Sequence, residues 1–431
     1  MNEALGSIVV LLFIIVLYIT EVIPVAATAL LSCALLAVFH IAEPSAVWAG
    51  FSSDTTLLVA GMIVVGTTLI DTGFAASIGN FLIRLSKGRI HLAAYGAIIA
   101  TLLFSAFMNN STAVATMLPV MAGIIAASGG VLHEKQLLMP LAVASNAGGM
   151  LTLIGTTAQM ISQSALESNG LRPFGFFDFA WIGVPISILF IIYMLTAGRW
   201  IGRRLWPESV GHTKYIRDFN PDGGEQGGNA HQSKSKQVLS ALIMVAAVLF
   251  MVIPGTPSNG TIAITAAITC VVTGCIPLQR LYRKLDLTTI FVLAGGIGFA
   301  NGLDKSGGGR LLADWIAGLF GKTLTPFVLF VMFSIAAAIL TLFMSNTAVT
   351  AMLTPIALAF TTTMAISPYP VLMGICMASN CAFSTPIATP SMTLVLGPGE
   401  YRFSDYVKYC MPFNIIAVAL ILLIVPAVWP L

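Results

Sequence analysis

The chain has 431 residues, of which 57% are hydrophobic and only 9% charged, and its formal net charge is +3. Soluble domains carry roughly a quarter charged residues, so this composition excludes an ordinary soluble enzyme. It predicts an all-α polytopic membrane protein, because the apolar runs approach the ~20 residues that a spanning helix needs and lack the period-two alternation of a β-barrel. The small net charge gives no indication of a nucleic-acid partner.

The first half of the chain, residues 1–205, is predicted to hold five membrane spans and one re-entrant hairpin at about 91–128. Gly148-Gly149 and Gly155 break the fourth span, since a glycine weakens a helix by roughly 1 kcal/mol. The expected spans lie near 6–22, 24–41, 55–71, 137–166 and 180–198.

A hydrophilic segment at 206–236 separates the two halves and is predicted to be a flexible cytoplasmic linker. The second half, 237–431, repeats the plan, with a hairpin at about 326–364 and a span broken at Pro386 and Pro390. Its spans are expected near 237–253, 261–277, 286–302, 371–399 and 411–429.

Basic residues orient these spans. Placing the basic clusters at 84–89, 199–204 and 280–284 in the cytoplasm gives ten spans and two hairpins, with both termini outside. Because each half has an odd number of spans, the halves have opposite orientation, which is the inverted-topology repeat plan of many secondary transporters. The two hairpin tips and the two broken helices are then expected to meet near the membrane midplane.

Each hairpin carries polar residues at its tip, Asn109-Asn110-Ser111 in the first and Ser345-Asn346-Thr347 in the second. An asparagine in hydrocarbon is costly unless it has a partner. A single Ser, Thr or Gly in a membrane helix usually serves helix packing. Here, however, the costly residues recur in both halves, and this recurrence favours a binding site over packing.

The broken spans carry a second repeated pattern. Ser145-Asn146 runs on to Gly155-Thr156-Thr157, and Ser379-Asn380 runs on to Ala388-Thr389-Pro390. A helix that begins inside the membrane can direct its N-terminal N–H groups at an anion. The pattern therefore predicts an anion site built from both halves.

A hydroxyl precedes each hairpin tip by one helical turn, Ser105 in the first half and Thr341 in the second. Together with the tip asparagines and the backbone at the breaks, these groups offer neutral oxygens, which suit a small hard cation such as Na⁺. The sequence thus predicts two Na⁺ sites beside the anion site.

Several activities are not expected. Gly295-Gly296-Ile297-Gly298 lies in an apolar span and lacks a P-loop lysine, so it is no nucleotide loop. No acidic residue falls in the middle of an expected span, which weighs against a carboxylate-based proton antiporter. The six cysteines are scattered through apolar runs and are expected to be packing residues. We expect no enzymatic activity and no organic cofactor.

These motifs resemble those of the divalent anion/sodium symporter (INDY-type) family of the ion transporter superfamily. That family carries paired Ser-Asn-Thr motifs at hairpin tips and paired Thr-Pro-Pro motifs at broken helices. The match is good in the second half, at 345–347, 388–390 and 397–406, and it covers nearly the whole chain. The resemblance implies a homodimer in the lipid membrane that works by an elevator motion.

The resemblance also implies roles for individual residues. Two Na⁺ sites would fall on Ser105, Asn109, Asn110 and Gly155, and on Thr341, Met344, Asn346 and Ala388. The substrate anion would contact Asn110, Ser111, Thr156, Thr157, Asn346, Thr347, Thr389 and Pro390.

The chain departs from the family motifs at the first tip, Asn109-Asn110-Ser111, and at the first break, Thr156-Thr157-Ala158. These departures fall on substrate-facing positions and bear on which anion is carried. The expected function is secondary transport of a small divalent anion, a di- or tricarboxylate or sulfate, coupled to Na⁺ in a bacterial inner membrane. An anion exchanger without Na⁺ coupling and an oxyanion or cation antiporter are the alternatives.

Overall fold

A computed structural model of the chain describes residues 3–20, 22–74, 77, 89–207, 213–217, 234–253, 255–309, 311, 315 and 325–431. Within these ranges every regular element is a helix. The helices are apolar and arranged in one bundle, so the prediction of an all-α polytopic membrane protein is confirmed.

The first half follows the predicted order of spans, hairpin and broken span. A 3-10 turn at Ala49–Ser52 lies between α3 and α4. The helices are α1 (Glu3–Thr20), α2 (Val25–Val38), α3 (Pro44–Val47), α4 (Asp54–Asp71), α5 (Ile90–Ser105), α6 (Asn110–Ala126), α7 (Glu134–Gly149), α8 (Thr157–Ser168), α9 (Ala180–Leu195), α10 (Ala197–Leu205) and α11 (Lys214–Arg217).

The second half repeats this order. Its helices are α12 (Lys234–Val252), α13 (Asn259–Val272), α14 (Leu278–Lys284), α15 (Leu287–Lys305), α16 (Pro326–Leu340), α17 (Asn346–Thr363), α18 (Pro368–Ser379), α19 (Pro390–Leu396) and α20 (Phe403–Val428). Helix α12 starts within the last residues of the predicted linker, and most of 206–236 lies outside the described residues.

Five of these helices, α1, α4, α12, α15 and α20, are each long and apolar enough to cross a membrane. The pair α9 and α10, which bends by 47° at Thr196, is a sixth candidate by length and composition. The predicted hairpins correspond to the pairs α5–α6 and α16–α17, and the predicted broken spans to α7–α8 and α18–α19. The membrane orientation of each half stays a prediction.

The helix contacts between the first and second halves occur in matching pairs: a contact made by a helix of one half is repeated by the equivalent helix of the other. Helix α4 packs along α13, and α15 packs along α2 in the same way. A Cβ on Gly61 would lie 2.7 Å from the Cβ of Ala263, and a Cβ on Gly295 would lie 2.9 Å from the Cβ of Ala29. Both glycines thus permit the same close helix approach, as expected for a duplicated chain.

Helix ends recur as well. The residues that follow α2 and α13, His40 and Gly274, both have positive φ, at 52° and 67°. Gly73 and Gly307, which follow α4 and α15, have φ of 77° and 73°. A left-handed residue after a helix lets the next N–H groups reach the last free carbonyls. The two halves therefore share turn geometry even where, as at His40, the residue type differs.

Candidate functional site: a polar cavity between the two halves

Six helices begin around one cavity of about 530 Å³, and α2 and α15 are two of them. The other four are α6 and α17, which follow the hairpin tips, and α8 and α19, which follow the breaks. Asn109 and Ser345 cap α6 and α17, accepting hydrogen bonds from the N–H groups of Ser111 and Ala348. Thr347 also donates its N–H to the Asn346 side chain, and Pro390 at the start of α19 has no N–H. The partial positive charge of these helix ends still favours an anion.

All eight residues predicted to contact substrate line this cavity. They are Asn110, Ser111, Thr156, Thr157, Asn346, Thr347, Thr389 and Pro390. Of the predicted Na⁺ residues, four also line it, namely Asn109, Asn110, Gly155 and Asn346. The other four are buried outside its lining: Ser105, Thr341, Met344 and Ala388. Their roles in binding remain predictions.

Two buried asparagines connect the halves across the site. Asn146 accepts a hydrogen bond from the Asn110 amide at 3.2 Å and donates one to the hydroxyl of Thr389 at 3.1 Å. Asn380 accepts from Asn346 at 3.0 Å and donates to Thr156 at 2.9 Å. Each asparagine thus joins the hairpin tip of its own half to the helix break of the other half.

Neither Asn146 nor Asn380 was assigned to the site from the sequence, although the repeated Ser-Asn pairs were recognised. Their repetition was the available signal. What could not be read from the sequence was their partners, because Asn146 and Thr389 are 243 positions apart.

The first predicted Na⁺ site brings neutral oxygens together. The Ser105 hydroxyl donates to Asn110 Oδ1 at 2.6 Å and lies 3.1 Å from the Ser145 hydroxyl. Ser145 in turn donates to the Asn110 carbonyl at 2.7 Å. Gly155 approaches the same region closely, because a Cβ there would lie 2.1 Å from the Gly149 carbonyl oxygen. This donor set fits a cation that prefers uncharged oxygen ligands.

The second predicted Na⁺ site lies in the second half, where Thr341 takes the place of Ser105. Thr341 donates to the carbonyl of Ser379 at 2.7 Å, and the hydroxyls of Thr350 and Ser379 are 2.8 Å apart. Thr350 also donates to the carbonyl of Asn346 at 2.9 Å. Among the described residues, no group of three His, Cys, Asp or Glu side chains could hold a metal ion, so any cation bound here relies on neutral oxygens.

One carboxylate, which the sequence analysis did not place in the site, lines the cavity. Asp286 caps α15, accepting from the N–H of Thr289 at 3.2 Å and from its hydroxyl at 2.6 Å. The Asn109 amide donates to the same carboxylate at 3.4 Å. The lining residues, all of them described, include no Lys, Arg or His. An anion in the cavity would therefore depend on helix ends and neutral side-chain donors rather than on a basic side chain.

Equivalent faces of α4 and α15 have different neighbours. The face of α4 lines the open cavity through Val59, Met62, Ile63 and Gly66. The matching residues, 234 positions later, enclose only a space of about 10 Å³ with α8 and α17; they are Leu293, Gly296, Ile297 and Ala300. The cavity therefore runs along this face of α4, whereas it meets α15 near the start of that helix, through Thr288, Thr289 and Val292.

Comparison with known proteins gives a consistent result. The family described as "CitMHS: Citrate transporter" matches residues 15–368 and 325–429. The chain is 26% identical over 443 residues to the sodium-dependent dicarboxylate transporter SdcS of Staphylococcus saprophyticus, covering 95% of the chain and 83% of that protein. It is 36% identical over 228 residues to the uncharacterized transporter YfbS of Escherichia coli, which covers 50% of the chain and 35% of YfbS.

Two solved structures share the fold. The YdaH transporter of Alcanivorax borkumensis has a TM-score of 0.59 at 17% identity, over 88% of this chain and 86% of that one. MtrF of Neisseria gonorrhoeae, described among antimetabolite efflux pumps, has a TM-score of 0.60 at 13% identity, over 96% and 94%. The family match and the relatives that align over nearly the whole chain confirm the resemblance seen in the sequence and the expectation of a multi-pass inner-membrane transporter rather than an enzyme.

Proposed function

Because the chain belongs to the citrate transporter family, we propose that it is a secondary transporter that carries a small divalent anion together with Na⁺. A di- or tricarboxylate is the proposed substrate. The single observation that carries this proposal is the convergence of the four helix N-termini that follow the hairpin tips and the breaks on one polar cavity that contains no basic side chain.

The arrangement suits a carboxylate cargo. The Thr389 hydroxyl and the second amide protons of Asn110 and Asn346 can donate to carboxylate oxygens. The hydroxyl protons of Ser111 and Thr156 are already donated to Asn109 and Gln159. Asn146 and Asn380 hold four of these groups in place through the two cross-half bridges. Preorganised donors bind an anion without the cost of ordering them at each cycle.

Sodium coupling has two supports. Relatives that align over nearly the whole chain are named sodium-dependent dicarboxylate transporters. In addition, a doubly charged anion in a cavity without fixed cations needs mobile ones, and the clusters around Ser105–Asn110 and Thr341–Asn346 offer neutral oxygens beside it. We propose that Na⁺ binds there and is carried with the anion.

Movement of the site is proposed to follow an elevator mechanism. The open face of α4 and the closed face of α15 are equivalent surfaces in two different environments. In the proposed motion, the face of α4 that lines the cavity would become closed, and the equivalent face of α15 would become open. The resemblance further implies a homodimer, which we propose as the functional unit.

Uptake of a labelled dicarboxylate or tricarboxylate into proteoliposomes tests the proposal. We expect uptake driven by an inward Na⁺ gradient and abolished by Asn110→Ala or Asn346→Ala. Asn169→Ala, at the exposed end of α8, is the matched control and should retain activity. Uptake that ignores Na⁺ but requires an internal anion would instead identify an exchanger, and full activity of both cavity variants would refute the site.

A further inference from the structure

A second polar site lies away from the cavity, around the short helix α10. Its buried side carries Gly198 and Gly202, which pack against Tyr409 of α20; a Cβ on Gly198 would lie 2.9 Å from the Tyr409 hydroxyl. Its exposed side carries Arg199, Arg203 and other long side chains. Because the glycine face fixes the rotation of α10, the arginines are held outward rather than left free to turn.

The two arginines border a small cleft of about 50 Å³ between α10 and the start of the first hairpin. His91 and His133 line the same cleft. No carboxylate is among the described residues that line it, and the nearby Glu134 accepts a hydrogen bond from the backbone of Thr213. This cluster is therefore cationic and suited to a phosphate-type anion.

An apolar stripe leads to this cluster along the outside of α9. The stripe consists of residues three or four positions apart, each more than 40% exposed: Trp181, Val184, Ile188, Ile192 and Leu195. The opposite side of α9 packs on α20. Helix α9 is an apolar helix of 16 residues that bends by 47° into the arginine-bearing α10. An apolar stripe on such a helix suits acyl chains, and the arginines of α10 suit the level where headgroups begin.

The outer face of α10 has the composition of a membrane interface. Trp200 is 57% exposed, and the Arg204 guanidinium lies 4.0 Å from the centre of its ring. Tryptophan is enriched at the level of lipid headgroups. Stacking on Trp200 holds Arg204 close to the arginine pair without neutralising its charge.

We propose that α10 and the foot of the first hairpin bind the phosphate headgroup of an anionic phospholipid, with its acyl chains along the α9 stripe. Free phosphate would satisfy the arginines but not the stripe, which is why a lipid is the occupant assigned here. Basic residues beside a span on the side that the positive-inside rule assigns to the cytoplasm attract anionic lipids. The proposal does not depend on which anion is transported.

The purified protein in neutral detergent allows a direct test, with the unfolding temperature Tm measured against added lipid. We expect phosphatidylglycerol to raise Tm saturably, while phosphatidylcholine with the same chains and inorganic phosphate have no effect. The rise should be lost in R199Q/R203Q and reduced in R203Q. It should persist in R280Q, which removes an exposed arginine from α14, outside the cleft lining.

Three results would overturn the proposal: an unchanged rise in R199Q/R203Q, an equal rise with phosphatidylcholine, or the same rise with inorganic phosphate alone. The last would identify a site for a soluble anion. If R199Q/R203Q does not yield folded protein, native mass spectra of R203Q and R280Q decide the matter. Retention of the same number of phosphatidylglycerol molecules by both variants would then count against the site.

Discussion

At the scale of single residues, the cavity combines neutral donors with one negative charge. Asp286 is needed locally, because it caps α15 through Thr289. Yet its carboxylate faces the space in which an anion is proposed to bind. Capping needs only an oxygen acceptor and not a charge, so the two effects of Asp286 can be separated by an isosteric substitution.

Asp286→Asn is therefore expected to tighten binding of a divalent anion. At a separation of about 10 Å in water-like dielectric, removing one charge relieves about 0.8 kcal/mol of repulsion, roughly fourfold in Kd. A monovalent anion should gain about half that free energy. Calorimetric titration in saturating Na⁺ measures both. Asp304→Asn, at the exposed far end of α15, is the control, and equal effects of the two variants would contradict a local electrostatic role.

At the scale of helices, much of the arrangement could be predicted from sequence. Apolar runs, the breaks at Gly148-Gly149 and the tip asparagines located both hairpins and both broken spans. Helix α10 was not predicted, because its arginines and glycines are typical of a loop; its Gly198 packs on Tyr409, a contact distant in sequence that local patterns do not show. The cross-half bridges and the position of Asp286 were likewise missed, since both depend on contacts that local patterns do not encode.

Helix approach at Gly61 gives a prediction at this scale. A Cβ at Gly61 would lie 2.4 Å from the backbone carbon of Ala263, whereas a Cβ at Gly296 would meet nothing within 4 Å. Gly61→Ala should force α4 and α13 apart and lower stability by about 1–3 kcal/mol. Gly296→Ala should be neutral or stabilise by up to about 1 kcal/mol. Thermal unfolding of both variants measures this, and an unaltered Tm for Gly61→Ala would show that the approach is not tight.

At the scale of the whole molecule, exchange of the halves relates the strongest helix contacts, such as α4 with α13 and α15 with α2, but not those of the face that lines the cavity. The equivalent isoleucines Ile63 and Ile297 illustrate the exception, because the first lines the opening and the second packs against α8 and α17. Under the proposed elevator mechanism, we expect this difference to mark one of two alternative states of similar energy.

Cysteine labelling distinguishes these states. We expect Ile63→Cys to react with a membrane-impermeant thiol reagent from one side of the membrane, and Ile297→Cys to react from the other side and more slowly. The native cysteines give little background, since all six are buried. Adding Na⁺ with a transported anion should change both rates. Labelling of both positions from the same side would exclude the exchange of environments.

The lack of a basic side chain in the cavity lining has a consequence for electrical behaviour. The one charged side chain among the lining residues is Asp286, which caps α15 and belongs to neither the hairpin tips nor the broken helices, so the parts that hold the proposed ligands bring no fixed charge of their own to a crossing. Helix ends contribute only partial charges, which belong to neutral peptide groups. Current through the transporter should therefore follow the ions that are loaded: a dianion with two Na⁺ crosses as a neutral package, and a third Na⁺ makes the same step voltage-dependent.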